Sequence, residues 1–107
     1  MDADARADDL ALARAVAAGE LGACERLWTL YGQRLLSFAC RECGNYDDAQ
    51  DVVQEALLGA LRTLDRYQAE GSLYSWLCGI VWHKAADYRR RLARRIDFEE
   101  QAAKEQR

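Results

Sequence analysis

The segment NYDDAQDVVQEALLGALRTL, residues 45 to 64, carries the clearest structural signal in the chain. Its residues Ala49, Val53, Ala56, Leu57, Ala60 and Leu64 recur at spacings of three and four, which is the period of a helix with one buried stripe. A strand would alternate every second residue instead. Asn45 stands where an N-cap side chain accepts a bond from the first-turn amides, and Asp47 and Asp48 put negative charge at the positive end of the helix dipole. A helix over about residues 46 to 65 follows. Its other face carries Asp48, Asp51, Gln54, Glu55, Leu58 and Arg62. Leu58 is ringed there by charge, a small version of an interface core, although single exposed leucines also occur on ordinary surfaces.

Outward from this helix the same period repeats. About residues 22 to 43 place Cys24, Leu27, Trp28, Tyr31, Leu35, Phe38 and Ala39 on one stripe, expected to be core. Ser72 can cap a further helix to about Arg95, with Leu73, Trp76, Leu77, Ile80, Val81, Tyr88 and Leu92 inward. A short first helix, about residues 8 to 18, follows the acidic pair Asp8-Asp9 and has Leu12 and Val16 on its apolar edge. Proline is absent, so Gly19, Gly44 and Gly71 are expected to end the helices in the left-handed conformation. The expected fold is all-α: a compact bundle of three long helices plus one short N-terminal helix, spanning residues 1–95. Residues 96–107 are polar with few anchors and, helical or not, read as the start of a linker.

A chain of 107 residues holds one domain. Half of it is apolar and 31% charged, and no run approaches the roughly 18 apolar residues of a spanning helix, so a soluble protein off the membrane is expected. The start Met1-Asp2-Ala3-Asp4 has neither the basic nor the apolar segment of a secretory signal. A cytoplasmic location is therefore expected, with four cysteines held as thiols.

The formal charge of −3 argues against coating nucleic acid by bulk charge. Resolved along the chain, the picture changes. Residues 1 to 83 hold seven basic and thirteen acidic side chains, a net of −6. Residues 84 to 95 hold Lys84, Arg89, Arg90, Arg91, Arg94 and Arg95 against Asp87 alone, a net of +5, and the tail, with two against four, restores −2. One or two cations suffice to complement a helix C-terminus, whereas six form a surface that can displace counterions from phosphates.

Cys40-x-x-Cys43 suggests a metal pair, but tetrahedral zinc needs two more ligands. Cys24 lies about 24 Å away along one helix and, in an antiparallel bundle, Cys78 lies at the Cys24 end. No cofactor or metal is expected. Cys24 with Cys78 forms a possible redox pair at one level of the bundle. Tyr74, Cys78 and Trp82 make a stripe at spacing four, which packing explains most simply; stacking on DNA or docking of a regulatory protein are the alternatives.

Asp47-Asp48-Ala49-Gln50-Asp51-Val52-Val53-Gln54-Glu55-Ala56 resembles the D-A-x-D-V-V-Q-E signature in region 2 of extracytoplasmic-function (ECF) sigma factors of bacterial RNA polymerase. Gly71-Ser72-Leu73-Tyr74-Ser75-Trp76-Leu77, with Ile80, His83, Asp87, Tyr88 and the arginine run, is similar to the family's later motif, where His83 replaces the usual Asn. The resemblance covers about residues 8 to 95. It implies that Asp48, Asp51, Gln54, Glu55, Leu58 and Arg62 dock on the clamp helices of the largest subunit of core polymerase. It implies also that the loop before the fourth helix captures a base flipped from the minus-ten promoter element. Tyr67, Gln68, Ser72, Ser75, Gly79, His83, Lys84, Arg90 and Arg91 are the DNA-contacting residues so implied, Tyr67 as the stacking surface and Trp76 as supporting core. A regulatory anti-sigma factor is a further implied partner. In the family a linker leads on to a helix-turn-helix domain, which is not expected within these 107 residues.

Two rivals use parts of the same pattern: a helical protein-interaction module that binds polymerase or an anti-sigma factor without DNA, and a thiol or metal sensor. An enzyme has least support, since one histidine, no phosphate-cradling glycine loop and no nucleophile-base pair are present.

Overall fold

The computed structural model describes residues 3–106, in four α-helices: α1 (Ala3–Ala17), α2 (Ala23–Cys43), α3 (Tyr46–Thr63) and α4 (Leu73–Glu105). A single 3-10 turn, Leu64–Arg66, closes α3. The acidic start at Met1-Asp2 and the terminal Arg107 lie outside the described residues. Caps set the boundaries. The Asn45 side chain accepts the Asp48 amide at 2.8 Å, and Ser72 Oγ accepts the Ser75 amide at 3.0 Å. Gly44 ends α2 at φ 83°, its amide donating to the Cys40 carbonyl. Gly71 does not play that part for the next boundary. The left-handed residue there is Ala69, at φ 58°, in a loop that must turn before Ser72 begins α4.

α2, α3 and α4 pack against one another pairwise, and α1 lies across α2 and the 3-10 turn. Leu35, Val53, Leu64, Leu73, Leu77 and Val81 are the largest fully buried side chains, each contributing about 1.5–3 kcal/mol by leaving water. Every residue expected inward on α3 is buried or half-buried, and Val52 joins them. On α4 the buried seam is Leu73, Leu77, Val81 and Ala85, flanked by half-buried Trp76, Ile80, Tyr88 and Leu92.

The stripe expected on α2 is not wholly inward. Cys24 is exposed and Trp28 is 45% exposed, because a helix turns about 100° per residue and Leu27 takes the inward position. Trp28 instead lies against its own helix over Gly32, where an added Cβ would come within 2.5–2.7 Å of three ring carbons. α4 also continues ten residues past Arg95: no glycine or proline interrupts it, and Arg95 and Glu99 form an i,i+4 ion pair at 3.8 Å. This last part packs on little, with Ile96 and Phe98 exposed.

Candidate nucleic-acid and protein interfaces

The loop between the 3-10 turn and α4 encloses an open pocket of about 320 Å³, lined by Arg66, Tyr67, Gln68, Glu70, Gly71, Ser72, Ser75 and Trp76. Four of the residues expected at a base-capturing loop therefore converge. Their parts differ from expectation in one respect. Tyr67 is only 2% exposed, its hydroxyl donates to the Gly71 carbonyl at 2.6 Å, and burial raises its pKa. It is the floor of the pocket and holds the loop's return. Trp76, expected as core, is half-buried and lines the pocket, with its ring 5.9 Å from that of Tyr67. Ser72 spends its hydroxyl proton on Ser75 Oγ at 2.8 Å, which leaves the Ser75 hydroxyl free to donate outward. Gln68 is exposed at the rim.

The loop is tied to α1 by contacts that the sequence pattern did not suggest. Arg14 donates from Nη1 to the Leu64 carbonyl at 3.0 Å and from Nη2 to the Tyr67 carbonyl at 2.8 Å. Asp9, read from sequence as a dipole complement, is buried at 9% exposure. It accepts the Leu73 amide at 3.0 Å and the Tyr31 hydroxyl at 2.8 Å. Burial, reinforced by the Asp9 carboxylate, pushes the Tyr31 phenol up to about 12.

From the pocket, Ser75, Gly79, His83, Asp87, Arg90 and Arg94 follow one exposed line along α4, about 28 Å from first to last. His83 lies edge-on to Trp82 with centroids 5.1 Å apart. At the far end Lys84, Arg90, Arg91 and Arg94 surround a second hollow with Glu55 and Asp87. Arg90 pairs with Asp87, and Arg91 approaches Glu55 at 3.8 Å. Lys84 and Arg94 have no ion pair among the described residues. Arg94 is absent from the implied set, although its spacing of three and four from Arg91 and Arg90 points to it. The six-cation cluster is also divided. Arg89 turns to Glu42 and to its carbonyl near the α2 C-terminus, the capping role that a cation fills there.

On α3, Asp51, Gln54, Glu55, Leu58 and Arg62 are all exposed, as expected, with Leu58 at 59%. Asp48 faces α4 and is not part of that face. It accepts bonds from the Tyr88 hydroxyl and the Asn45 amide, and the Tyr88 bond chiefly lowers its pKa and raises that of the tyrosine. Three further residues border the face. Trp28, Tyr46 and Gln50 line a hollow of about 170 Å³ with Gln54 between α2 and α3. Trp28 falls on the apolar stripe of α2, so spacing alone places it in the core.

The stripe of Tyr74, Cys78 and Trp82 divides. Tyr74 is covered by the Arg34 guanidinium at 3.9 Å from its centroid, Cys78 is half-buried, and Trp82 is exposed. All four cysteines are free thiols, and burial raises the pKa of Cys43. Among the described residues no three His, Cys, Asp or Glu side chains group to hold a metal ion, and no helix is long and apolar enough to cross a membrane.

The fold is an all-α domain with a mixed acidic and apolar face on α3 and a polar pocket leading to a basic cluster on α4. Residues 27–95 match the family model of sigma-70 region 2, and the chain belongs to that family. It is 43% identical over 58 residues to the ECF RNA polymerase sigma factor EcfG of Rhodopseudomonas palustris, covering 53% of this chain and 32% of that protein. It is 32% identical over 80 residues to the ECF RNA polymerase sigma-E factor of Escherichia coli, 75% of this chain and 41% of the relative. To the RNA polymerase sigma-H factor of Pseudomonas aeruginosa it is 30% identical over 80 residues, 75% and 42%. The chain thus spans about a third to two fifths of the length of these relatives. No solved structure matches it.

Proposed function

We propose that this chain is the polymerase-docking and promoter-opening domain of an ECF-type bacterial transcription initiation factor, a cytoplasmic binding protein and not an enzyme. The observation that carries the proposal is the exposed line on α4 joining the Trp76 pocket to Lys84, Arg90, Arg91 and Arg94. An unpaired base needs a ring to stack on and polar groups for its edge, which Trp76, Gln68 and Ser75 supply. The neighbouring nontemplate strand of the minus-ten element then runs over Gly79 and His83, and its phosphates reach the cations. Opening the duplex requires only that unpaired bases bind more tightly than paired ones.

Asp51, Gln54, Glu55, Leu58 and Arg62, bordered by Trp28 and Tyr46, form the docking face for the clamp helices of core polymerase. Asp51 there would repel phosphate, and Glu55 marks the seam between the two surfaces, since it also lines the basic hollow and approaches Arg91 at 3.8 Å. Residues 1–95 make up the domain and 96–107 begin the linker, as a continuation of α4. An anti-sigma factor that covers the α3 face would block polymerase.

Capture of core polymerase by the wild type and by Asp51→Arg tests the docking face. The charge reversal is expected to abolish capture while leaving the helical content intact; equal capture removes that assignment. Binding of a nontemplate minus-ten oligonucleotide, lost in the Arg90→Ala/Arg91→Ala double variant, separates this proposal from a protein-only interaction module.

A further inference from the structure

We propose that Asp9 and Arg14 of α1 are positioning residues for the base pocket, which they shape without lining it. The inference rests on that pocket being the base site. Both ends of the pocket loop are fastened to α1. The guanidinium of Arg14 spans two carbonyls, Leu64 at 3.0 Å and Tyr67 at 2.8 Å, around the 3-10 turn where the loop leaves α3. The Asp9 carboxylate takes the amide of Leu73, at 3.0 Å, where the loop enters α4. Its second oxygen is held by the Tyr31 hydroxyl, so the buried charge has partners on both sides.

Residues 68 to 72, between the two fastenings, carry Gln68 and Ser72 and include the left-handed Ala69 at φ 58°. A non-glycine residue keeps that conformation only where its surroundings impose it. Here the surroundings are the two clamps, reaching 50 to 64 residues back along the sequence, and the Tyr67 hydroxyl on the Gly71 carbonyl between them. A pocket already ordered before the base arrives does not lose binding energy to loop ordering. The clamps should therefore act on base capture and leave phosphate contacts alone, since the basic cluster lies on α4 beyond the loop.

The test uses the chain bound to core polymerase and the nontemplate minus-ten strand of a promoter that the wild-type complex opens. Affinity is measured for the intact strand and for strands made abasic at each position in turn. The wild type is expected to prefer a base over the abasic site by about tenfold at one position, the order of one stacked base. Arg14→Ala and Asp9→Ala bring that ratio close to one, while the abasic strand binds within about twofold of wild type. Asp9→Asn retains an acceptor for the Leu73 amide and keeps most of the ratio. Arg14→Lys keeps the charge but cannot span both carbonyls, and loses it.

General destabilisation would weaken both strands together and leave the ratio unmoved. Should an alanine variant be unfolded at the assay temperature, Arg14→Lys and Asp9→Asn carry the comparison. A wild-type ratio of one at every position overturns the base pocket itself, and the inference with it. A wild-type preference that persists undiminished in folded Arg14→Ala, Arg14→Lys and Asp9→Ala overturns the positioning role alone.

Discussion

Leu58→Ala separates a docking residue from a packing residue. Burying a leucine completely is worth about 1.5–3 kcal/mol. Leu58 is 59% exposed, so about 1–2 kcal/mol of that burial is still available to a partner. Truncation at this site should weaken binding to core polymerase about tenfold, since 1.4 kcal/mol corresponds to a factor of ten. Stability should hardly move. Alanine is at least as good a helix former as leucine, and exposed substitutions usually stay within about 0.5 kcal/mol. Fluorescence anisotropy of the labelled chain against core polymerase gives the first quantity, and thermal unfolding by circular dichroism the second. A dissociation constant within about twofold of wild type would exclude Leu58 from the interface. A fall in Tm beyond about 4 °C, near 1 kcal/mol for a domain of this size, would make it a core residue instead.

Gly59 and Gly79 both sit inside helices with nothing within 4 Å of an added Cβ, so Gly59→Ala and Gly79→Ala should each raise stability by about 0.5–1 kcal/mol, readable as a higher Tm. Only Gly79→Ala should weaken binding of the minus-ten oligonucleotide, because a methyl group there stands in the path of the strand; equal binding by both variants would place the strand elsewhere. The Asp48 carboxylate is more acidic in the fold because Tyr88 and Asn45 donate to it. Its contribution is present above the ordinary carboxylate range and lost as pH falls through the folded-state pKa, so Tm measured downward from about pH 6 should decline less steeply in Asp48→Asn. The Tyr31 phenol is raised to about 12, so the folded state keeps a proton that the unfolded chain releases near its ordinary value. That stability is complete below the unfolded-state pKa and lost as pH rises through the folded one, and alkaline unfolding of Tyr31→Phe should lack this component.

Features that depend on near neighbours are legible in the amino-acid order. Asn45 and Ser72 as caps, Gly44 as a terminator, the inward run of α3 and the run of cations between Lys84 and Arg95 are all effects within a few residues along one helix. The motifs around Asp51 and Trp76 placed the chain in its family for the same reason, since each occupies a contiguous stretch.

Which side chains meet between helices is set by packing. Trp28 and Leu27 are adjacent in sequence and equally apolar, and how α2 packs on its neighbours chose which one is covered. Asp48 satisfied the local rule for a first-turn acid yet turned to Tyr88, forty residues away. Asp9 fitted the same rule and became the buried acceptor for Leu73, while Arg14 found two carbonyls beyond α3. Such bonds depend on where the ends of separate helices come to rest, and periodicity, which records only rotation about one helix axis, carries no information on that. The pocket therefore has parts that are readable in sequence and a shape that the packing of α1 imposes.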